Sequence, residues 1–124
     1  MKAFTDLNQS KKLAEILPLE SADMVYNMVN GYNTPWVRIE GIEGLHKEDV
    51  CAWSLAALLD VLESEIDGEE GETYQLNIEK DGTWWNVWYK EQYDEANPIE
   101  TESTEELIDA CYEMIVKLHE QKIL

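Results

Sequence analysis

The chain has 124 residues, 44% of them apolar and 10% aromatic, with 27 acidic against nine basic side chains and a net charge of −18. That size and apolar content suit a single globular domain spanning 1–124 and argue against wholesale disorder. The charge argues against direct binding of nucleic-acid phosphates or anionic membranes, which needs clustered Lys and Arg.

The first segment, Met1 to Asp6, lacks the apolar stretch of a secretory signal. No apolar run approaches the ~20 residues of a membrane-spanning helix. The longest, Val50 to Leu62, is interrupted by Ser54 and Asp60. A cytoplasmic protein is therefore expected.

Residues 4–17 contain a short amphipathic helix. Ser10 is placed to cap it, Leu13, Ile16 and Leu17 follow at helical spacing, and Pro18 stops it. Ser21 is placed to cap one further turn through Val25. Asn27, Asn30, Gly31, Asn33 and Pro35 then mark turns, with Tyr26, Tyr32 and Trp36 among them. Residues 36–40 have the composition of a short edge strand, closed by Gly41 and Gly44.

A second helix is expected near 47–64. Cys51, Leu55, Leu58, Leu59 and Leu62 form its stripe, widened by Val50, Trp53, Ala57 and Val61. Glu63 to Glu72 reads as the helix end passing into an acidic, glycine-punctuated loop. Thr73 to Lys90 reads as a β-hairpin turning at Asp81-Gly82. A two-residue loop there sets Leu76 opposite Val87 and Tyr74 opposite Tyr89. One face then holds Tyr74, Leu76, Ile78, Trp85, Val87 and Tyr89, which is the core face by period-two logic. The other holds Gln75, Asn77, Glu79, Trp84, Asn86 and Trp88. After an irregular linker through Asn97-Pro98, a last helix is expected near 103–121. A Ser103/Glu106 capping box opens it, and Leu107, Cys111, Met114, Ile115 and Leu118 form its buried stripe.

The predicted fold is α+β: a small antiparallel sheet built on the 74–89 hairpin and packed on the helices near 47–64 and 103–121. Two strands seldom persist alone in water, so residues 36–40 or a second chain should complete the sheet. Cys51 and Cys111 both fall on apolar stripes and read as buried free thiols; the alternative, a disulfide, requires the two helices to bring their alpha carbons within about 7 Å.

The segments Lys11 to Met24 and Cys51 to Leu59, followed by a hairpin and a closing helix with Ala110-Cys111-Tyr112-Glu113-Met114, resemble small uncharacterised proteins of Bacteroides-type gut bacteria and their prophages or other mobile elements. The resemblance implies a bacterial cytoplasm and a mobile-element origin. It carries over no catalytic residue.

Chemistry-bearing motifs are sparse. The only histidines, His46 and His119, have no motif-level Ser or Cys partner, and there is no phosphate-binding Gly-rich loop, CxxC or HExxH. Asp67 to Glu72 lacks the ligand spacing of an EF-hand. No catalytic residue, cofactor or metal is expected. Trp84 and Trp88, two rings on a polar strand face, read either as covered by an N-terminal helix or the 24–36 loop, or as a recognition patch with Asn86 and Gln75. The leading expectation is a non-enzymatic interaction protein of a mobile element that binds a protein partner. One alternative is an acidic nucleic-acid mimic, because residues 63–124 hold eighteen acidic and four basic side chains. The other is a carboxylate- or metal-dependent hydrolase.

Overall fold

The computed structural model describes residues 1–29, 31, 34–38, 45–93 and 98–124. Helix α1 (Leu7–Ile16) starts four residues earlier than a Ser10 cap would place it. Asp6 is the cap: its carboxylate accepts from Gln9 N–H at 2.8 Å, and its own N–H donates to Gln9 Oε1 at 3.1 Å. Ser10 is buried within the helix, its Oγ 2.8 Å from Thr5 Oγ1. The helix stops where Pro18 forces Leu17 into extended backbone (φ −105°, ψ 153°).

A 3-10 turn (Leu19–Ser21) leads to β1 (Met24–Tyr26). This strand lies between β2 (Trp36–Val37) and β3 (Val50–Ala52) in an antiparallel sheet. Ser21 caps no helical turn here; its hydroxyl bonds the Pro18 carbonyl at 2.6 Å and accepts the Trp53 indole N–H at 3.0 Å. The expected strand at 36–40 is present at Trp36–Val37, but in this sheet rather than beside the hairpin. Its second half at 39–40, the glycines at 41 and 44, and positions 30, 32 and 33 lie outside the described residues.

The helix expected near 47–64 is shorter. Val50–Ala52 form β3, and α2 spans Leu55–Val61. Cys51, Ala52 and Trp53 are buried on all sides, and such a run satisfies a buried strand as well as a helix. Ser54 separates the two elements. Its Oγ accepts from Ala57 N–H at 3.2 Å as the α2 cap, while its own N–H bonds the Asp23 carboxylate at 2.9 Å.

The second sheet is an antiparallel meander of β4 (Glu65–Asp67), β5 (Thr73–Asp81), β6 (Trp84–Glu91) and β7 (Ile99–Glu100). The chain thus completes its own sheet. Strand β4 occupies part of the expected acidic loop, because Ile66 is buried between exposed Glu65 and Asp67. Strand β7 emerges from the expected linker, of which 94–97 lie outside the described residues.

The hairpin exists with its pairing displaced by two residues. Asp81 faces Trp84, Ile78 faces Val87 and Leu76 faces Tyr89. The loop is Gly82-Thr83, with Gly82 at φ +63° and Thr83 at negative φ. That suits a type II′ turn, in which only the first loop position needs positive φ; a turn at Asp81-Gly82 would also force Asp81 there. An even displacement preserves the faces. Val87 and Tyr89 are buried, and Tyr74, Leu76 and Trp85 pack against the core. Ile78, nearer the turn, is 37% exposed.

Helix α3 spans Leu107–Glu120. The expected Ser103/Glu106 capping box is not formed, because the segment before the helix is used as sheet edge. Thr104 exchanges backbone hydrogen bonds with Trp85, and the Ser103 hydroxyl bonds the Asn86 side chain. Glu106 accepts the Lys2 backbone N–H at 2.7 Å. The far end closes as a Schellman motif: Ile123 N–H bonds Leu118 O, Lys122 N–H bonds His119 O, and Lys122 sits at φ +61°.

Helix α3 packs on β6 and on α2, while α1 lies against β3 and α3. One apolar cluster joins them, with Leu13, Trp53, Leu58, Tyr89, Ile108, Met114 and Ile115 fully buried. Thr5 is the buried polar hinge of this core. Its Oγ1 accepts from Trp53 N–H at 3.1 Å and its carbonyl accepts from Tyr26 Oη at 2.8 Å. Among the described residues, no helix is long and apolar enough to cross a membrane.

Candidate recognition face of the hairpin

The inner face of the second sheet is occupied by α3. Its outer face is built by alternation along β5 and β6 and by pairing across to β7. One row runs Asn77, Trp88, Glu100; the next pairs Glu79 with Asn86; the row at the turn pairs Asp81 with Trp84. Directly opposed side chains have Cβ atoms about 4.5–5.5 Å apart. Each outer tryptophan therefore has a carboxylate as its immediate cross-strand neighbour: Asp81 for Trp84, and Glu100 for Trp88.

Trp84 is 48% exposed at the turn end, and Trp88 is half-buried. Trp88 and Asn86 line a groove of about 410 Å³ together with Asn77, Glu79, Lys90 and Glu100. Gln75 lies beyond it, opposite Lys90, and its carbonyl accepts from Asn77 Nδ2 at 3.0 Å. Of the four residues singled out in the sequence, the fold brings Trp88 and Asn86 into the groove. It leaves Trp84 and Gln75 outside, on the same face.

One wall of this groove was hidden from sequence reasoning. The segment 99–104 runs along the edge of β6, bonded at Tyr89 and again at Trp85. Between those ties, residues 101–103 face only Asn86 and Val87, so the edge carries a bulge. The bulge opens a second cleft of about 930 Å³ toward α3, sharing Asn86, Glu100 and Thr101 with the groove. Thr101 Oγ1 lies buried at that junction with no hydrogen-bond partner among the described residues. The one usable sequence signal was the alternation of Ile99 and Thr101 with Glu100 and Glu102, weak beside the Asn97-Pro98 turn signal.

The face is electronegative. Among the described residues, none of Glu79, Asp81 and Glu100 is in a salt bridge. Lys90 is the cation lining the groove. Lys80 belongs to the other face, its ammonium 5.3 Å from the Trp85 ring centroid. Such a surface offers flat aromatic area, amide hydrogen bonding and fixed negative charge, which are binding chemistry.

Among the described residues, the histidines and thiols stand apart from this face. His46 and His119 are both exposed and stand on separate elements, near the β3 entry and the α3 end. Cys51 and Cys111 are buried free thiols. Burial pushes the Cys111 thiol up to about 12, so it holds its proton at neutral pH. Burial also raises Cys51, outweighing the nearby Arg38 guanidinium. Among the described residues, no group of three or more His, Cys, Asp or Glu is placed to hold a metal ion.

No family model, no curated protein and no solved structure matches this chain.

Proposed function

We propose that this chain is a non-enzymatic accessory protein of a bacterial mobile element, working in the cytoplasm by binding a protein partner through the outer face of the hairpin. The observation that carries this reading is Trp84: a large ring on a polar strand face, nearly half exposed. It lies on the same face as the Trp88 groove. Tryptophan is the residue type most enriched at interface hot spots, and truncating such an anchor typically costs 2 kcal/mol or more of binding.

The test is affinity capture from the native host with wild type and Trp84→Ala/Trp88→Ala, followed by binding of the purified captured protein. Circular dichroism verifies that the double variant is folded. A partner retained by wild type and lost by the folded variant supports the reading. Capture unchanged in the variant overturns it; if that capture also vanished in moderate salt, it would indicate an acidic decoy for a basic groove.

A further inference from the structure

Resting on the reading of this face as a partner surface, the geometry points to the chemistry of that partner: we infer that the face takes an extended, positively charged peptide segment whose Arg or Lys side chains are spaced four residues apart. The two tryptophans stand at i and i+4 on β6. At the rise of an antiparallel strand they are ~13 Å apart along one line. Each has a carboxylate directly across the strand pair, Asp81 beside Trp84 and Glu100 beside Trp88. Glu79 lies between these stations, opposite Asn86.

A ring face beside a carboxylate that makes no salt bridge is an arrangement that holds a cation; at the Trp88 station it does so with Lys90 in the same groove and Lys117 Nζ donating to the Glu100 carbonyl. The quadrupole of the indole attracts the cation, and the carboxylate accepts its N–H donors. Arg suits this best, since a guanidinium stacks flat while presenting its edge to a carboxylate. An extended peptide repeats its side-chain direction every second residue, so residues i and i+4 span the same ~13 Å as the two stations. Asn86 stands between them, its Oδ1 taken by the Ser103 hydroxyl and its Nδ2 left to donate to a peptide carbonyl, while Asn77, in the Trp88 row, donates to the Gln75 carbonyl and offers its Oδ1 as an acceptor. The net charge of −18 adds a long-range pull on a basic segment and repels an acidic one. A neutral sugar also stacks on tryptophan and can donate hydroxyls to the carboxylates, but it draws nothing from the net charge of −18.

The probes are short synthetic peptides of alternating Thr and Val with two arginines four residues apart, the same peptide with the arginines adjacent, and one with glutamates in their place. Titration calorimetry at low and moderate salt reads the affinity of each for wild type, Trp88→Ala, Glu100→Gln and Asp81→Asn. The two carboxamide variants are isosteric at exposed or edge positions and keep the fold intact. The spaced-arginine peptide is expected to bind best. Loss of any one station group should weaken it about three- to fivefold, added salt should weaken it further, and the glutamate peptide should not bind.

The inference is overturned if the spaced peptide fails to bind wild type, if it binds the variants equally, or if a neutral oligosaccharide binds where the peptide does not. Its failure is separable from failure of the underlying reading. A natural partner lost with Trp84→Ala/Trp88→Ala but indifferent to Asp81→Asn, Glu100→Gln and salt keeps the partner surface and removes the cationic chemistry.

Discussion

Tyr89 shows how a side chain can be central to the core and still set a limit on the conditions the fold tolerates. Its ring is fully buried, and its hydroxyl donates to the Glu63 carbonyl at 2.6 Å. Burial, with Glu63 nearby, pushes its pKa from 10.0 up to about 12. Burial likewise raises Cys111 from 9.0 to about 12. Both groups are neutral when folded and ionise earlier when unfolded. Their contribution is therefore complete below about pH 9 and is lost as pH rises through the folded values. The melting temperature should hold steady up to about pH 9 and then fall toward pH 12. Cys111→Ala should flatten the lower part of that fall, which thermal melts followed by circular dichroism across the range will show. At this scale the sequence was informative about identity but not about partners. That Cys111 is buried follows from the apolar stripe of α3; Cys51 is buried as well, but on strand β3 rather than on the expected helical stripe. That Thr5 and Ser10 join in a buried hydroxyl pair does not follow from sequence, because no local pattern announces a polar contact beneath a helix.

At the scale of elements, the hairpin separates what alternation determines from what it leaves open. Any even displacement of β5 against β6 keeps Val87 and Tyr89 inward and Trp84 and Trp88 outward, so the faces were legible. The loop position was not, because Asp-Gly and Gly-Thr both make acceptable two-residue turns and only the φ demand at Asp81 distinguishes them. That difference is testable. Gly82→Ala meets no atom within 4 Å of the new Cβ, so its cost is backbone strain alone, about 1–2 kcal/mol. Asp81→Gly should cost about 0.5–1 kcal/mol, as a glycine within a strand does. It would instead stabilise the protein if Asp81 occupied a turn position. Urea denaturation of both variants reads the outcome. The same tension explains the other shifted boundaries. Ser103 and Thr104 have capping chemistry, but the open edge of β6 claims them first. Val50 to Ala52 is apolar enough for a helix, but β1 supplies a strand for it to pair with.

For the whole molecule, charge is the dominant unsatisfied term. Three salt bridges are present among the described residues, two of them made by Lys2, against a net charge of −18. Pairing at that level cannot offset the mutual repulsion of the carboxylates. Raising ionic strength from about 0.01 M to 0.15 M shortens the screening length from ~30 Å to ~8 Å. The melting temperature should therefore rise by roughly 3–6 °C, to a similar degree for sodium and potassium chloride at matched ionic strength, with most of the rise complete by about 0.15 M as screening saturates. An unchanged melting temperature would mean that the negative charges are too dispersed to strain the fold. The α+β composition of the chain was legible at this scale. Its division into two sheets was not, since that depends on a long-range choice by Trp36–Val37 that no local window contains.

The edge segment 99–104 has a consequence for how the molecule would report its own occupancy. The residues that wall the outer groove run without interruption into the first turn of α3, tied on the way to β6 at Trp85. Loosening the groove therefore means loosening the anchor of the helix that fills the interior. A ligand that binds the folded groove and not the unfolded chain would therefore raise the melting temperature with its concentration, by mass action.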